Sequence, residues 1–244
     1  MKKLFPLLIL VFMMSYTECQ EPEETEDWSR KPGVVTPGKG NRPPSDAIIL
    51  YNGASDIDKW EHEKGGPPPW LAEDVLTVVP GSGDIRTKQA FGDVQLHVEW
   101  RTPEVIEGKG QGRGNSGIFL MGLYEVQVLD SYENETYYNG QAGAIYKQYI
   151  PLVNACRPPG QWQTYDIFFT APGFKADGEL DIPAYITVVQ NGVLIQNHVA
   201  LKGPTLFIGR PRYKAHPDRL PLMLQEHSNP VSYRNIWIRE LKNL

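Results

Sequence analysis

From about residue 46 onward, apolar and polar residues alternate one by one in short runs, which is the period of strands with one buried face. The cleanest run is Val94 to Arg101, with Val94, Leu96, Val98 and Trp100 on one side and Gln95, His97, Glu99 and Arg101 on the other. Val75 to Val79, Tyr165 to Thr170 and Tyr185 to Gln190 read the same way. Asn191-Gly192 then predicts a tight hairpin into Val193 to His198, and Leu220 to His227 and Val231 to Leu241 close the series. No amphipathic helix longer than two turns is predicted. Many strands without intervening helices imply an all-β fold class, a sandwich of two antiparallel sheets with about 200 residues in one domain.

Gly114 to Tyr132 reads as two short strands around a turn and places Glu125 and Gln127 inside an apolar run. Alternation puts Glu125, Gln127 and Leu129 on one face and Tyr124, Val126, Val128 and Asp130 on the other. A carboxylate and an amide so placed must find partners or face a wet cleft. Two other strands carry residues of similar type: His97, Glu99 and Arg101 on one, Gln225 and His227 on the other. If these strands are neighbours, sheet twist gathers them on one concave face. Two Glu and a His suit a divalent cation. The plainer readings are a solvated His97, a Glu99–Arg101 ion pair and a His227 bonded to a loop carbonyl.

No ExDxE pattern occurs, so the closely spaced carboxylates of an ordinary sandwich glucanase are missing. Gly140 to Arg157 contains Tyr146, Lys147 and Asn154, and as a loop at a groove mouth it could bring a phenol or an ammonium as proton carrier. Trp60, Trp70 and Trp162 suit either the core or stacking on a sugar ring.

The chain has 244 residues, 41% of them hydrophobic and 22% charged, and a net charge of −5. With no basic surface, nucleic acid and anionic membrane are excluded as expected partners. Residues 1–19 combine Lys2 and Lys3 with the apolar run Leu4 to Met14 and end at Cys19, the layout of an export signal. The run is too short for a comfortable transmembrane helix in the mature chain. Export to the periplasm or, with a lipid on Cys19, to a membrane surface is the expectation. Glu18 and Tyr16 are poor residues for lipoprotein processing. Residues 20–45, rich in Glu, Pro, Gly and Thr, cannot bury enough surface to order and read as a tether, leaving 46–244 as one folded domain. Cys19 and Cys156 form no disulfide framework, and Cys156 reads as a small buried apolar residue before a catalytic thiol.

The ordered motifs resemble one family. They are LYNG at 50–53 followed by Trp60, FGDVQLHVEWR at 91–101, GNSGIFL at 114–120, YEVQVLDSY at 124–132, GAIY at 143–146, PLVNACRPPGQWQTYDI at 151–167, NGV at 191–193, LQEH at 224–227 and RNIWIR at 234–239. Together they are similar to the 3-keto-disaccharide hydrolases, long called domain of unknown function 1080. The resemblance implies a concanavalin-like jelly-roll sandwich and action on glycosides oxidised at C3 by a partner sugar 3-dehydrogenase. The ketone acidifies the C2 proton, so a base can remove it, the C1 substituent can leave, and water can add afterwards. The resemblance also implies a divalent metal cation holding the 3-keto and 2-hydroxy oxygens, with Glu125 and His227 as ligands and Glu99 or Gln127 completing the shell. Tyr146, Lys147 and Glu99 are the expected catalytic residues, and Arg101, Gln127, Asn115 and Gln225 the expected sugar contacts. Lys147 stands where a smaller residue, often Gly, is expected after GAIY. The competing readings are a noncatalytic carbohydrate-binding module and an ordinary glycoside hydrolase.

Overall fold

A computed structural model describes residues 21–40 and 42–241. The expected export signal at 1–19, with Cys19, lies outside the described residues. Of the described residues, 21–34 belong to a small unit of their own, are exposed and carry one short 3-10 turn, Pro22–Thr25. The second unit runs from Val35 and contains every strand.

The first half of that unit supplies β1 (Ile48–Tyr51), β2 (Trp60–His62), β3 (Leu71–Ala72), β4 (Leu76–Thr77), β5 (Ile85–Phe91), β6 (Val94–Arg101), β7 (Ser116–Leu120) and β8 (Tyr124–Val128). After a long loop come β9 (Gln163–Thr170), β10 (Gly173–Phe174), β11 (Leu180–Ile182), β12 (Tyr185–Gln190), β13 (Val193–Ala200), β14 (Leu220–Leu224) and β15 (Ser232–Glu240). They build an eight-stranded sheet, ordered β13-β12-β9-β6-β15-β4-β3 with β1 also on β15, and a five-stranded sheet, ordered β2-β5-β14-β7-β8. All pairings are antiparallel. The fold is a jelly-roll β-sandwich.

The inward faces of both sheets meet in one core, where Trp60, Trp100, Tyr51, Tyr124, Tyr165 and Tyr233 are fully buried. Burying an apolar side chain of this kind contributes roughly 1.5–3 kcal/mol. Trp60 and Trp70 are therefore core residues, and their indole N–H groups donate to Leu50 O and Gly83 O. At the hairpin between β12 and β13, Asn191 and Gly192 have φ of 52° and 82°, the left-handed pair that a two-residue turn demands.

Two elements depart from the sequence pattern. β5 escapes the alternation signal because Thr87 occupies a core position and satisfies its hydroxyl there, accepting from Leu222 N and donating to Gln89 O. β14 stops at Leu224, short of the predicted His227. Gln225 N still donates to Gly117 O, but Glu226 N turns to Asp84 Oδ1 and Ser228 takes a φ of 60°. His227 thus rides on a turn beyond the strand.

Candidate functional site

The outer face of the five-stranded sheet carries a cleft of about 590 Å³. Its floor comes from β8 and β7. Tyr124, Val126 and Val128 point into the core, so Glu125 and Gln127 point out into the cleft. Gly117, opposite Gln127 on β7, keeps the floor low: a Cβ there would stand 2.8 Å from Phe119 Cε2, 2.9 Å from Glu125 Oε1 and 3.3 Å from Gln225 Oε1. The carboxylate and the amide oxygen therefore converge over the space that a side chain would fill. Asn115 adds a buried Oδ1 with no partner among the described residues, an acceptor waiting for a donor in the cleft.

The edge of β8 is covered from the GAIY segment. Gln127 N donates to Ala144 O, Gly143 N to Gln127 O and Tyr146 N to Glu125 O, which brings the Tyr146 side chain over the floor. Its hydroxyl shares a 2.6 Å hydrogen bond with that of Tyr137. Burial, the Tyr137 phenol and the Glu125 carboxylate all raise the Tyr146 pKa, so the phenol keeps its proton. On the same side Thr205 is tied to β8, its N–H donating to Leu123 O and its hydroxyl accepting from Glu125 N. The chain then overhangs the cleft at Phe207.

Glu125 is only 4% exposed, and burial, helped by the Asp84 carboxylate, pushes its pKa up to about 8. The hydrogen bonds around it point the same way. With its nitrogen toward Gln111 Oε1 (3.0 Å) and Gly140 O (3.4 Å), the Gln127 amide turns its oxygen to Glu125 Oε1. Swapped, its nitrogen donates to Glu125 Oε1 at 2.8 Å and Ser116 O at 3.1 Å, but its oxygen then meets Gln111 Oε1 at 3.0 Å. Gln111 cannot turn in response, because its nitrogen already serves Thr136 and Gly140 O. Either orientation leaves one oxygen facing another. The network is one positive charge short, and a proton on Glu125 or a cation beside it closes it.

Residues 46–239 match the 3-keto-alpha-glucoside-1,2-lyase-like domain. The chain belongs to that family. A crystal structure of a candidate glycosyl hydrolase from Parabacteroides distasonis is 52% identical, with a TM-score of 0.86 over 91% of this chain and 97% of that one. Two further candidate glycosyl hydrolases of that organism, 21% and 19% identical with TM-scores of 0.59 and 0.53, cover 81% and 80% of this chain and 94% and 99% of theirs, and they share the fold. No curated protein matches the chain. Membership in the lyase-like family makes glycoside processing the coarse function.

Of the expected site residues, the cleft of this lyase-like domain gathers Glu125, Gln127, Asn115, Gln225, His227 and Tyr146. Lys147 stands beside them, its ammonium 4.0 Å from the Phe207 ring centroid and donating to Phe207 O at 2.6 Å. Its φ of 58° is the left-handed conformation in which glycine is at ease and other residues pay roughly 1–2 kcal/mol, which gives a physical reason for the glycine that the resemblance implies there.

Glu99 and Arg101 are not at the cleft, which corrects the expectation of a single convergent patch. They lie on β6, in the eight-stranded sheet, on that sheet's outward side. There Glu99 accepts from Arg234 Nε at 2.7 Å and Asn235 Nδ2 at 3.0 Å. Arg101 packs on Trp162, its guanidinium carbon 4.7 Å from the ring centroid. His97 joins them, bonded to Asp166 at 2.7 Å and stacked on Trp237. Burial lowers its pKa, but Asp166 and Glu99 outweigh that and hold it at about 9. Cys156 is also no nucleophile, since burial raises its thiol to about 11.

Sequence reasoning missed Gln111, Phe119, Tyr137, Thr205 and Phe207, all of which line the cleft. Gln111 and Tyr137 sit in loops without periodicity. The Pro-Thr pair at 204–205 marks only a loop.

Proposed function

We propose that the protein cleaves 3-keto-glycosides by removing the C2 proton and eliminating the C1 substituent, with hydration of the product afterwards. One observation carries this reading: among the described residues lining the cleft, Glu125 is the sole carboxylate. Displacement at C1 needs two carboxyl groups, one on each side of the bond. Elimination next to a ketone needs one base and one acid.

A carboxyl with a pKa of about 8 is matched to accept a carbon-bound proton at neutral pH, and the Tyr146 phenol is matched to give one. The C2–H pair becomes the C1–C2 double bond, the C1–O pair leaves with the aglycone oxygen, and that oxygen takes the Tyr146 proton. Tyr137 connects Tyr146 to the rim and returns a proton from solvent. Asn115, Gln127 and Gln225 offer hydrogen bonds to the sugar hydroxyls.

The oxygen-rich floor also fits a divalent cation in kind, although no group of three His, Cys, Asp or Glu side chains stands together among the described residues. Glu125 and His227, with the Gln225 and Gln127 amide oxygens, would hold it, and a bound ion would supply positive charge to the keto and hydroxyl oxygens. Glu125 would then be a ligand, and Tyr146, whose phenol the nearby positive charge would make more acidic, would have to take the C2 proton as a phenolate and return it to the aglycone oxygen. The oxygen-to-oxygen contact at Gln127 supports this arrangement as well as the protonated one. A dehydrogenase acting at C3 would supply the substrate, and the N-terminal expectation of export sets the reaction outside the cytoplasm.

The test is aglycone release from 3-keto-glucosides and from their unoxidised parents, with and without a chelator, in deuterated water. Release from the keto compounds alone, with deuterium entering at C2, is expected. Loss of activity on chelation assigns Glu125 to the cation, and retention assigns it to the proton. Release from the unoxidised parents overturns the reading.

A further inference from the structure

The cleft has two kinds of wall. Its floor carries amides and the carboxyl, whereas Tyr137, Tyr146 and Phe207 line it with aromatic rings. Two of these rings are open to water: Tyr137 is 40% exposed and Phe207 69%. Large apolar side chains left in water around a cleft mark a surface kept for a ligand. A second sugar there would need directional hydrogen-bond partners, and the rim has few to give. The Tyr137 and Tyr146 hydroxyls are bonded to each other, and Phe207 O is taken by Lys147.

Lys147 adds a charge. Its ammonium lies 4.0, 5.6 and 5.7 Å from the ring centroids of Phe207, Tyr137 and Tyr146 and has no carboxylate within ion-pair distance among the described residues. The backbone at this point is held in the left-handed region by the bond from Lys147 N to Asn139 O. A strained, non-glycine residue at a cleft mouth is the pattern of a side chain kept for its function. An unneutralised cation framed by aromatic rings suits an anion that develops on a planar group.

We propose that Tyr137, Phe207 and Lys147 form an aglycone subsite for an aromatic ring, so that the preferred substrates are 3-keto-glycosides of phenolic aglycones. This rests on the 3-keto-glycoside reading above. The ring lies against Phe207 and Tyr137. As the C1–O bond breaks, its electron pair moves onto the phenolic oxygen, Lys147 stabilises the charge, and Tyr146 then delivers the proton.

The experiment has a kinetic and a binding arm. In the first, kcat/KM is measured for phenyl and methyl 3-keto-glucosides and a 3-keto-disaccharide with wild type, Phe207→Ala and Lys147→Gly. Wild type favours the phenyl compound, Phe207→Ala costs it about tenfold more than it costs the methyl compound, and Lys147→Gly makes the rate depend more steeply on the phenol's acidity. Equal losses on all three substrates, or a preference for the disaccharide, overturn the subsite. In the second arm, calorimetry compares phenyl and methyl glucosides that are not oxidised and cannot react by this route. Tighter phenyl binding that Phe207→Ala abolishes upholds the subsite even if no 3-keto-glycoside is cleaved, in which case the parent reading alone fails. Equal binding of the two glucosides by wild type overturns the subsite. Thermal melts confirm that both variants are folded.

Discussion

Replacing Glu125 by Gln tests the electrostatics of the cleft through folding stability alone, with no activity assay. The side chain is 4% exposed, and its pKa rises from the ordinary 4.5 to about 8 in the folded protein. Because the folded state holds this proton more tightly than the unfolded chain, its contribution to stability is fully present below about pH 4.5 and is lost as pH rises through about 8. At about 1.36 kcal/mol for each pH interval, the whole effect is about 5 kcal/mol, and about 4 kcal/mol of it falls between pH 5 and 9. Gln has nearly the same shape and cannot ionise. Any constant offset from its extra N–H cancels when two pH values are compared. Urea unfolding of chelator-treated wild type and Glu125→Gln at pH 5, 7 and 9 should therefore show the variant gaining on wild type as pH rises, by about 4 kcal/mol over the range. Parallel pH profiles would mean that Glu125 ionises normally, and the account of the proton-short network would fall with it.

Gly117→Ala should lower stability by about 1–3 kcal/mol and cut turnover, because the new methyl meets Phe119 and Glu125 Oε1 at under 3 Å; a melting curve and a rate on one sample check both. Tyr146→Phe removes the proton donor while keeping the ring, so kcat on a 3-keto-glucoside should drop about 10²–10⁴-fold with KM little changed. Glu99→Gln breaks the ion pair with Arg234 on the opposite sheet; the melting temperature should fall while the specific activity of the folded protein stays near wild type. A large loss of kcat in that variant would return Glu99 to the site.

Alternation in the sequence was enough to find most strands, to turn Glu125 and Gln127 away from the core and to mark the Asn191-Gly192 hairpin, because side-chain direction in a strand and turn handedness are local properties of the backbone. It could not say which sheet a strand joins. β6 and β8 carry equally suggestive polar faces, yet long-range pairing sends β6 to the larger sheet beside β9 and β15 and β8 to the smaller one beside β7, so Glu99 and Arg101 face away from Glu125. Tertiary structure alone also brought Tyr137, Phe207 and Gln111 to the cleft, since loops have no period and their positions are set by the surfaces they cover. The raised pKa of Glu125 belongs to the same class: it comes from burial and from Asp84, a residue 41 positions earlier in the chain that only folding brings near.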